Sequence, residues 1–165
     1  MRLFLASPVH LYDYTGLRKE FSTVLEGKWV EEESLHLTWV FLGEQPDAGP
    51  WVEKLGKLTP LQTRSPLQKL GSFGRPPRVF HAKAEDPLLY AKARQIREAG
   101  FELRRFTPHA TLCRIKRIRD WRRYKELLKA YEEKILGEIS EEIILYESIL
   151  TKEKALHKKI AGVTQ

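Results

Sequence analysis

The feature that most constrains the fold is a short pattern that occurs twice, each time at the start of an apolar, β-branched stretch. The two stretches are His-Leu-Thr-Trp-Val-Phe at 36–41 and His-Ala-Thr-Leu-Cys-Arg at 109–114. Because side chains alternate across a strand, each histidine shares a face with the threonine two positions later. The sequence therefore predicts two strands that each present an imidazole and a hydroxyl in one direction.

The elements around the first stretch alternate between strand and helix patterns. Residues 3–6 form an apolar run typical of a strand, and apolar side chains then recur at helical spacing from Tyr14 until Gly27, which we expect to end a helix. Residues 35–43 predict a second strand. Asp47 is placed to cap a following helix.

The second half repeats this order. Residues 78–84 predict a strand, Asp86 caps a helix, 109–116 predict another strand, and Asp120 caps a helix that we expect to end at Gly137. Two further strands are predicted over 142–150 and 155–163. The duplication predicts two similar α+β lobes that face each other across a groove.

Composition limits the class of protein. Hydrophobic residues make up 42% and charged residues 31% of the 165 residues, a balance typical of folded rather than disordered chains. The formal net charge is +7, which favours polyanionic partners such as nucleic acid, although a basic, Lys- and Glu-rich chain is also typical of thermophilic proteins. The charge supports a nucleic-acid partner without identifying one.

Cysteine content and hydropathy bear on where in the cell the protein is expected. Cys113 is the single cysteine, so an internal disulfide is excluded and a cysteine-based metal site is not indicated. The apolar run after Met1 is too short for a secretory core, and no segment is apolar for long enough to span a membrane. We expect a cytoplasmic protein with no membrane association.

Two imidazoles and two hydroxyls around one position suit phosphodiester chemistry. One histidine can take a proton from the attacking group while the other, protonated, donates to the departing oxygen. Threonine hydroxyls can donate hydrogen bonds to phosphate oxygens, and a nearby arginine can add positive charge. This chemistry requires no metal.

The pairing of the motifs carries this interpretation. A single His-x-Thr occurs by chance in many sequences, and His36 alone would be interpreted as an ordinary hydrogen-bonded strand histidine. Thr38 and Thr111 are equally explained by the strand propensity of β-branched residues. A matched pair on equivalent strands of a repeat is far more specific.

Several stretches resemble the LigT-like RNA 2′,3′-cyclic phosphodiesterases of the two-histidine phosphoesterase superfamily, and together they span nearly the whole chain. Residues 1–6 resemble the opening strand of that family, 35–44 its first signature, 78–80 its middle strand, 106–114 its second signature and 146–148 its late strand. The sequence departs from the family pattern at His81, where tryptophan is common, and at Cys113, where a small or aliphatic residue is common.

The resemblance implies a single two-lobed phosphoesterase domain over 1–165. Its expected fold is α+β, bilobal and pseudo-symmetric, with two antiparallel sheets that flank a central cleft and helices outside. The implied activity is hydrolysis of a terminal 2′,3′-cyclic phosphate of RNA to a 2′-phosphate, without metal or cofactor. The implied substrates include tRNA fragments, and we expect a monomer.

The resemblance also assigns roles to individual residues. His36 and His109 are the expected catalytic acid/base pair, in an order that the sequence leaves open, and Thr38 and Thr111 are the expected phosphate-binding hydroxyls. No metal-ligating residue is expected.

Two further residues follow the motif histidines by five positions. The family implies that Arg114 binds phosphate and that Phe41 stacks on a base, although an aromatic residue in a strand is more often part of the core. Strict alternation places both on the face opposite the histidines, so contact with substrate requires the strand to twist or end there. The same alternation places Cys113 on the face of His109, where we expect it to serve packing only.

The remaining histidines show no motif. We expect His81 to be a surface or strand histidine rather than a third cleft imidazole, and His10 and His157 to lie on the surface.

A basic stretch follows the second motif, and RNA phosphates beyond the reacting end could bind there. A solvated loop and helix face explains the same charges equally well. Its members are Arg114, Lys116, Arg117, Arg119, Arg122 and Arg123.

Other functions remain open from sequence alone. The same acid/base pair run in reverse would act as a 2′-5′ RNA ligase on tRNA halves. A small cyclic nucleotide could be the substrate, or the chain could be a non-catalytic RNA-binding module, although two intact motifs argue against a module.

Overall fold

In the computed structural model, which describes residues 1–164, nine strands and four α-helices follow one another along the chain. The strands are β1 (Arg2–Leu11), β2 (Leu25–Trp29), β3 (His36–Glu44), β4 (Ser65–Phe73), β5 (Val79–Lys83), β6 (His109–Ile118), β7 (Ile135–Ile139), β8 (Ile143–Leu150) and β9 (Ala155–Val163). The helices are α1 (Tyr14–Phe21), α2 (Gly49–Leu55), α3 (Pro87–Glu98) and α4 (Trp121–Ala130), with a short 3-10 helix over Glu32–Ser34. The predicted α+β class is confirmed.

The strands form two groups, each built around one motif strand. In the first group β3 pairs with β1, which pairs with β8 and then β9; in the second β2 pairs with β6, which pairs with β5 and then β4. Strand β7 joins β1 to β4, and β3 meets β6 at Leu37 and Ala110. All these pairings are antiparallel. Because β7 and the β3–β6 contact link the two groups, the two expected sheets form one continuous hydrogen-bonded network.

Buried side chains from both halves form one core cluster. On the helix side of the sheet, Phe21 of α1 contacts Phe80 of β5 at 4.7 Å between ring centroids and Tyr124 of α4 at 6.3 Å. Phe21 and Phe80 are fully buried. Helices α1 and α4 therefore cover one face of the second strand group and leave its other face to the motif residues.

Two glycines that were expected to end helices, Gly27 and Gly137, lie in strands instead. A Cβ on Gly27 would lie 2.2 Å from the carbonyl oxygen of Arg114, and one on Gly137 would lie 2.1 Å from that of His10. The predicted helix ends were wrong, because α1 already ends at Phe21 and α4 at Ala130. At these positions glycine permits the close approach of neighbouring strands. Because each glycine was interpreted as the end of a helix, strands β2 and β7 were not predicted.

Strand β4 was also not predicted. It contains Pro66 and Gly71, and the ladder with β5 is interrupted at Lys69, whose φ is +54°. Proline, glycine and a left-handed residue weaken the alternation by which strands are recognised.

The starts of two helices agree with the capping pattern of the sequence, unlike the predicted helix ends. Asp86 accepts a hydrogen bond from the backbone N–H of Leu88 at 2.9 Å, and Asp120 accepts one from that of Arg123 at 3.0 Å. These two predicted N-caps are confirmed. The predicted cap at Asp47 was wrong by one residue, because Ala48 is the N-cap of α2 and Asp47 instead accepts a hydrogen bond from the backbone N–H of Gly49 at 3.1 Å. No helix among residues 1–164 combines enough length and apolar character to cross a membrane.

Candidate active site

Strand β3 contains one extra residue directly after its threonine. Thr38 pairs with Ala6 of β1 and Val40 pairs with Leu5, which leaves Trp39 unpaired in a β-bulge. The Trp39 side chain is buried, and its indole N–H donates to the hydroxyl of Ser7 at 2.8 Å. This hydrogen bond satisfies the polar atom of the bulged residue inside the core.

Strand β6 has its bulge at the equivalent position. Thr111 pairs with His81 of β5 and Cys113 pairs with Phe80, so Leu112 is the extra residue. Leu112 is fully buried. The two motif strands therefore share a backbone irregularity as well as a sequence pattern.

The bulges explain how the residues five positions after each histidine reach its face. One extra residue reverses the alternation, so Phe41 returns to the side of His36, and Arg114 to that of His109. The burial pattern agrees, because 36–43 and 109–116 show the same succession of buried and accessible residues. The expected placement of Cys113 beside His109 was wrong: Cys113 is buried and pairs with Phe80 on the helix side.

Each motif histidine is held by a backbone carbonyl two residues earlier. Nδ1 of His36 lies 2.8 Å from the oxygen of Ser34, and Nδ1 of His109 lies 2.7 Å from that of Thr107. A carbonyl oxygen only accepts, so Nδ1 is the donor in both rings. Nε2 is then the nitrogen available for proton transfer in both halves.

The backbone brings the two histidines together. Leu37 and Ala110 pair across the β3–β6 contact, and each directly follows its histidine. In a regular antiparallel ladder, diagonal neighbours of this kind have side chains about 7–8 Å apart. The charge of His109 also acts on the pKa of His36, as expected for imidazoles that lie near each other.

Burial controls the protonation of His36. Its pKa is lowered to about 4: desolvation is the largest cause, the Ser34 carbonyl opposes it, and the charges of His157 and His109 add to the lowering. Burial also lowers the pKa of His109, with a smaller contribution from the charge of Lys83, while the Thr107 carbonyl raises it. Both rings are therefore neutral at pH 7 in the absence of an anion, and a bound phosphate would favour protonation of either ring.

An aromatic cluster packs against His36. The ring of Phe4 lies 5.3 Å from that of His36, 5.3 Å from Tyr146 and 5.0 Å from His157. His157 itself lies 5.1 Å from His36. The expectation that His157 is a surface residue was wrong, because β9 places its half-buried ring against a motif histidine.

A comparable cluster lies beneath His109. Phe73 of β4 contacts His109 at 4.9 Å and His81 at 4.0 Å, and His81 lies 5.6 Å from His109. His81 is a strand residue, as expected, but it is not on the surface because only 1% of it is exposed. Among residues 1–164, neither of its ring nitrogens has a hydrogen-bond partner.

Polar and charged groups complete the accessible face. Within residues 1–164, no protein group is hydrogen bonded to the hydroxyl of Thr38 or Thr111, so both can donate to an anion. Lys83 pairs with His109 on the neighbouring strand and adds positive charge on the same face. The exposed Arg114 extends this face, and Phe41 is 76% exposed, which excludes it from the core.

Sequence reasoning missed several members of this site. Phe4, Phe73 and Lys83 come from strands that pair with or neighbour the motif strands, and His157 comes from the C-terminal strand. Their side chains carry no local motif, and only strand register brings them to the histidines. Lys83 alone had a local signal, because it lies two residues after His81 in a predicted strand.

The arrangement can transfer protons on both sides of a bound phosphate. It offers two imidazoles with free Nε2 atoms, two hydroxyls and a positive rim. No group of three or more His, Cys, Asp or Glu side chains within residues 1–164 is arranged to hold a metal ion.

The chain is similar to known proteins in sequence and in fold. A family model described as LigT like phosphoesterase matches residues 13–81. The chain is 32% identical over 151 residues to the RNA 2′,3′-cyclic phosphodiesterase of Aeropyrum pernix, which covers 82% of this chain and 85% of that protein. It is 30% identical over 175 aligned positions to the protein of the same name from Methanocaldococcus jannaschii, with 97% and 98% covered.

The fold gives a consistent result. The crystal structure of the Thermus thermophilus protein TT0787 superposes with a TM-score of 0.72 and 22% sequence identity, covering 99% of this chain and 97% of that one. The antiparallel α+β architecture is therefore shared over essentially the whole length.

Proposed function

Because this chain belongs to the LigT-like phosphoesterases, whose relatives are RNA 2′,3′-cyclic phosphodiesterases, we propose that it opens terminal 2′,3′-cyclic phosphates of RNA to 2′-phosphates by metal-independent acid/base catalysis. The proposed catalytic pair is His36 and His109. The observation that carries this proposal is the matched geometry of the two motifs, which leaves both Nε2 atoms free on one accessible face.

The proposed reaction needs two proton transfers, one to the first imidazole and one from the second. One imidazole takes a proton from water as its oxygen forms a bond to phosphorus. The other imidazole, protonated, donates to the 3′ oxygen as the bond between that oxygen and phosphorus breaks. The product is a 2′-phosphate and a 3′-hydroxyl, and the net protonation of the pair is unchanged.

The positive and hydroxyl groups are proposed to stabilise the phosphate. Thr38 and Thr111 would donate to its non-bridging oxygens, and Arg114 and Lys83 would offset its charge. Phe41 would stack on the terminal base. Bound phosphate would also raise the pKa of whichever histidine acts as the acid, so a ring that is neutral before binding can be protonated in the complex.

The direct test combines the purified protein with an oligoribonucleotide that ends in a 2′,3′-cyclic phosphate, in the presence of EDTA. We expect conversion to a 2′-phosphate end at a rate that EDTA does not change. A product joined through a 2′-5′ linkage would indicate ligation instead, and binding without conversion would indicate a non-catalytic module. Either of these results, or loss of activity in EDTA, would contradict the proposal.

Removing one motif hydroxyl is expected to slow the reaction. Thr38→Val and Thr111→Val keep the β-branched shape that the strand favours but lose the donor, so kcat should fall about 10- to 100-fold for each. Thr63→Val, at an exposed loop position, is the control and should leave kcat unchanged. Equal kcat for the wild type and both strand variants would exclude a role for these hydroxyls.

Truncation of the exposed aromatic residue is expected to weaken substrate binding. Base stacking on an aromatic side chain contributes about 1–3 kcal/mol, so Phe41→Ala should raise KM about tenfold or more. Tyr12→Ala removes another exposed ring as a control. A substrate with an abasic terminal ribose should show no difference between Phe41→Ala and wild type; an equal loss on this substrate would show that Phe41 does not act through the base.

A further inference from the structure

We propose that a basic strip on strands β2 and β6 binds the phosphates of the RNA chain upstream of its reacting end. The basic strip consists of Lys28 of β2, Lys116 and Arg117 of β6, and Arg119 directly after β6, and it continues from Arg114 away from the histidines. This inference rests on the proposed function, and it adds a preference for an oligoribonucleotide over a cyclic mononucleotide.

Register places the first member beside the site. Lys28 pairs directly with Arg114 across the β2–β6 ladder, so both side chains project from the same face. That face is the one shared by His109 and Thr111, because the bulge at Leu112 restores Arg114 to it. Among residues 1–164, no salt bridge engages Lys28 or Arg114, so both charges are available to an anion.

The next members gather around one carboxylate. Glu26 lies 3.8 Å from Lys116, 2.8 Å from Arg117 and 3.7 Å from Arg119. Three cations share a single anion, which leaves an excess of two positive charges. Their side chains are 69%, 62% and 54% exposed, so they can reach a polyanion, and Glu26 keeps them together.

The surface between these groups is concave. An open depression of about 390 Å³ is lined by Glu26, Gly27, Lys28, Arg114, Ile115 and Lys116. A strand rises about 3.3 Å per residue, so the cations of β6 lie from roughly 16 Å (Arg114) to roughly 26 Å (Arg117) along the strand from His109. That length accommodates several nucleotides of a single strand.

The equivalent positions of the first half do not form such a strip. Phe41 stands where Arg114 stands in the second half, and the strand then continues through Gly43 to Glu44, which is bonded to the N-terminal amine at 3.2 Å. The two sides of the site are therefore chemically different. The aromatic side suits the terminal base, and the basic side suits the chain of phosphates that leads to it.

The structure also separates the basic strip from the rest of the basic stretch. Arg122 and Arg123 lie on α4, which packs through Tyr124 against Phe80. Phe80 lies on the helix side of the sheet, opposite the histidines. Both arginines already share Glu126, at 3.7 and 3.4 Å, and they belong to a different surface.

The matched variants follow from this separation. One variant replaces Lys116, Arg117 and Arg119 by glutamine, and the control replaces Arg122, Arg123 and Lys125, which are also one lysine and two arginines, all exposed. The two variants therefore lose the same charge from different surfaces. Each is assayed on a cyclic-ended oligoribonucleotide of about eight nucleotides and on the matching cyclic mononucleotide.

We expect the strip variant to lower the ratio of kcat/KM for the oligonucleotide to that for the mononucleotide by about tenfold or more. The salt dependence should weaken as well: three lost phosphate contacts, at about 0.7 each for single strands, reduce the slope of log KM against log salt by about 2. The control should leave the ratio unchanged. An unchanged ratio in the strip variant, or an equal fall in the control, would overturn the inference.

A third variant tests the inference in the opposite direction. Glu26→Gln removes the shared anion and frees three cations, so it should lower the oligonucleotide KM at low salt. Fluorescence anisotropy with a 2′-phosphate-ended oligonucleotide provides a measurement that needs no turnover. If wild-type protein opened neither substrate, the proposed function would fail, and the binding of this probe to the strip and control variants would still decide whether the basic strip binds RNA.

Discussion

Alanine at either His36 or His109 is expected to lower kcat for a cyclic-phosphate-ended oligoribonucleotide by about 1,000-fold. Each imidazole supplies one of two proton transfers, and general acid or base catalysis contributes about 10²- to 10⁴-fold. The KM should change much less, because the hydroxyls and Arg114 remain. Steady-state kinetics of the two single variants measure both quantities.

The double variant provides a further check. If the two imidazoles act on one phosphate as a unit, the loss of both should cost little more than the loss of one. His10→Ala, at an exposed position, is the control and should retain full activity. Retention of more than about a tenth of wild-type kcat by either single variant would remove that histidine from the proposed mechanism.

The free energy of unfolding is expected to fall steeply between pH 7 and pH 4.5, and His81 should account for about 2–3 kcal/mol of that fall. Burial, with smaller contributions from the charges of His109 and Lys83, lowers the pKa of His81 to about 3, against an ordinary value of 6.5. Between these values the unfolded chain binds more protons than the folded one. Stability is therefore complete above about pH 6.5 and is lost as the pH falls towards 3.

The variant His81→Phe separates this contribution from other acid-sensitive groups. Phenylalanine retains a buried ring and loses no hydrogen bond, because the His81 nitrogens have no partner within residues 1–164. Urea unfolding at pH 7 and pH 4.5 should show a difference smaller by about 2 kcal/mol in this variant. Ile139→Val, a buried control, should lose the same amount at both pH values. An unchanged pH difference in His81→Phe would show that this ring does not titrate as described.

Much of the fold follows from local pattern. The spacing of apolar residues and the capping aspartates at Asp86 and Asp120 locate helices, and the β-branched runs locate β3, β6 and the last two strands. Strands β2, β4 and β7 escape the same reasoning. The glycines of β2 and β7 lie against the backbone of a neighbouring strand, and β4 is interrupted at Lys69. Such features are set by tertiary pairing that no local window of sequence contains.

The motif residues could be found from sequence, but their relative orientation could not. His36, Thr38, His109 and Thr111 follow from the repeated pattern alone. The orientation of Phe41 and Arg114 depends on a bulge after each threonine, and strict alternation gives the opposite face. His157 and His36 are more than a hundred residues apart in sequence. They meet only because β9, which contains His157, pairs with β8.

The sequence also could not show which basic residues share a surface. The sequence presents six basic residues after the second motif as one stretch, with no means of dividing them. The structure assigns Arg114, Lys116, Arg117 and Arg119 to one surface and the two residues on α4 to another, because β6 ends and the chain crosses to the helix side at Asp120.

The most direct measurement is an NMR titration of the histidine ring signals with adenosine 2′-phosphate, a product of the proposed reaction. Assignment follows from the single histidine variants. If both imidazoles meet at one phosphate, the His36 and His109 signals shift along a single saturation curve with one Kd, and the His10 signal does not. A response from only one of the two rings, or two curves with different Kd values, would contradict a shared phosphate site.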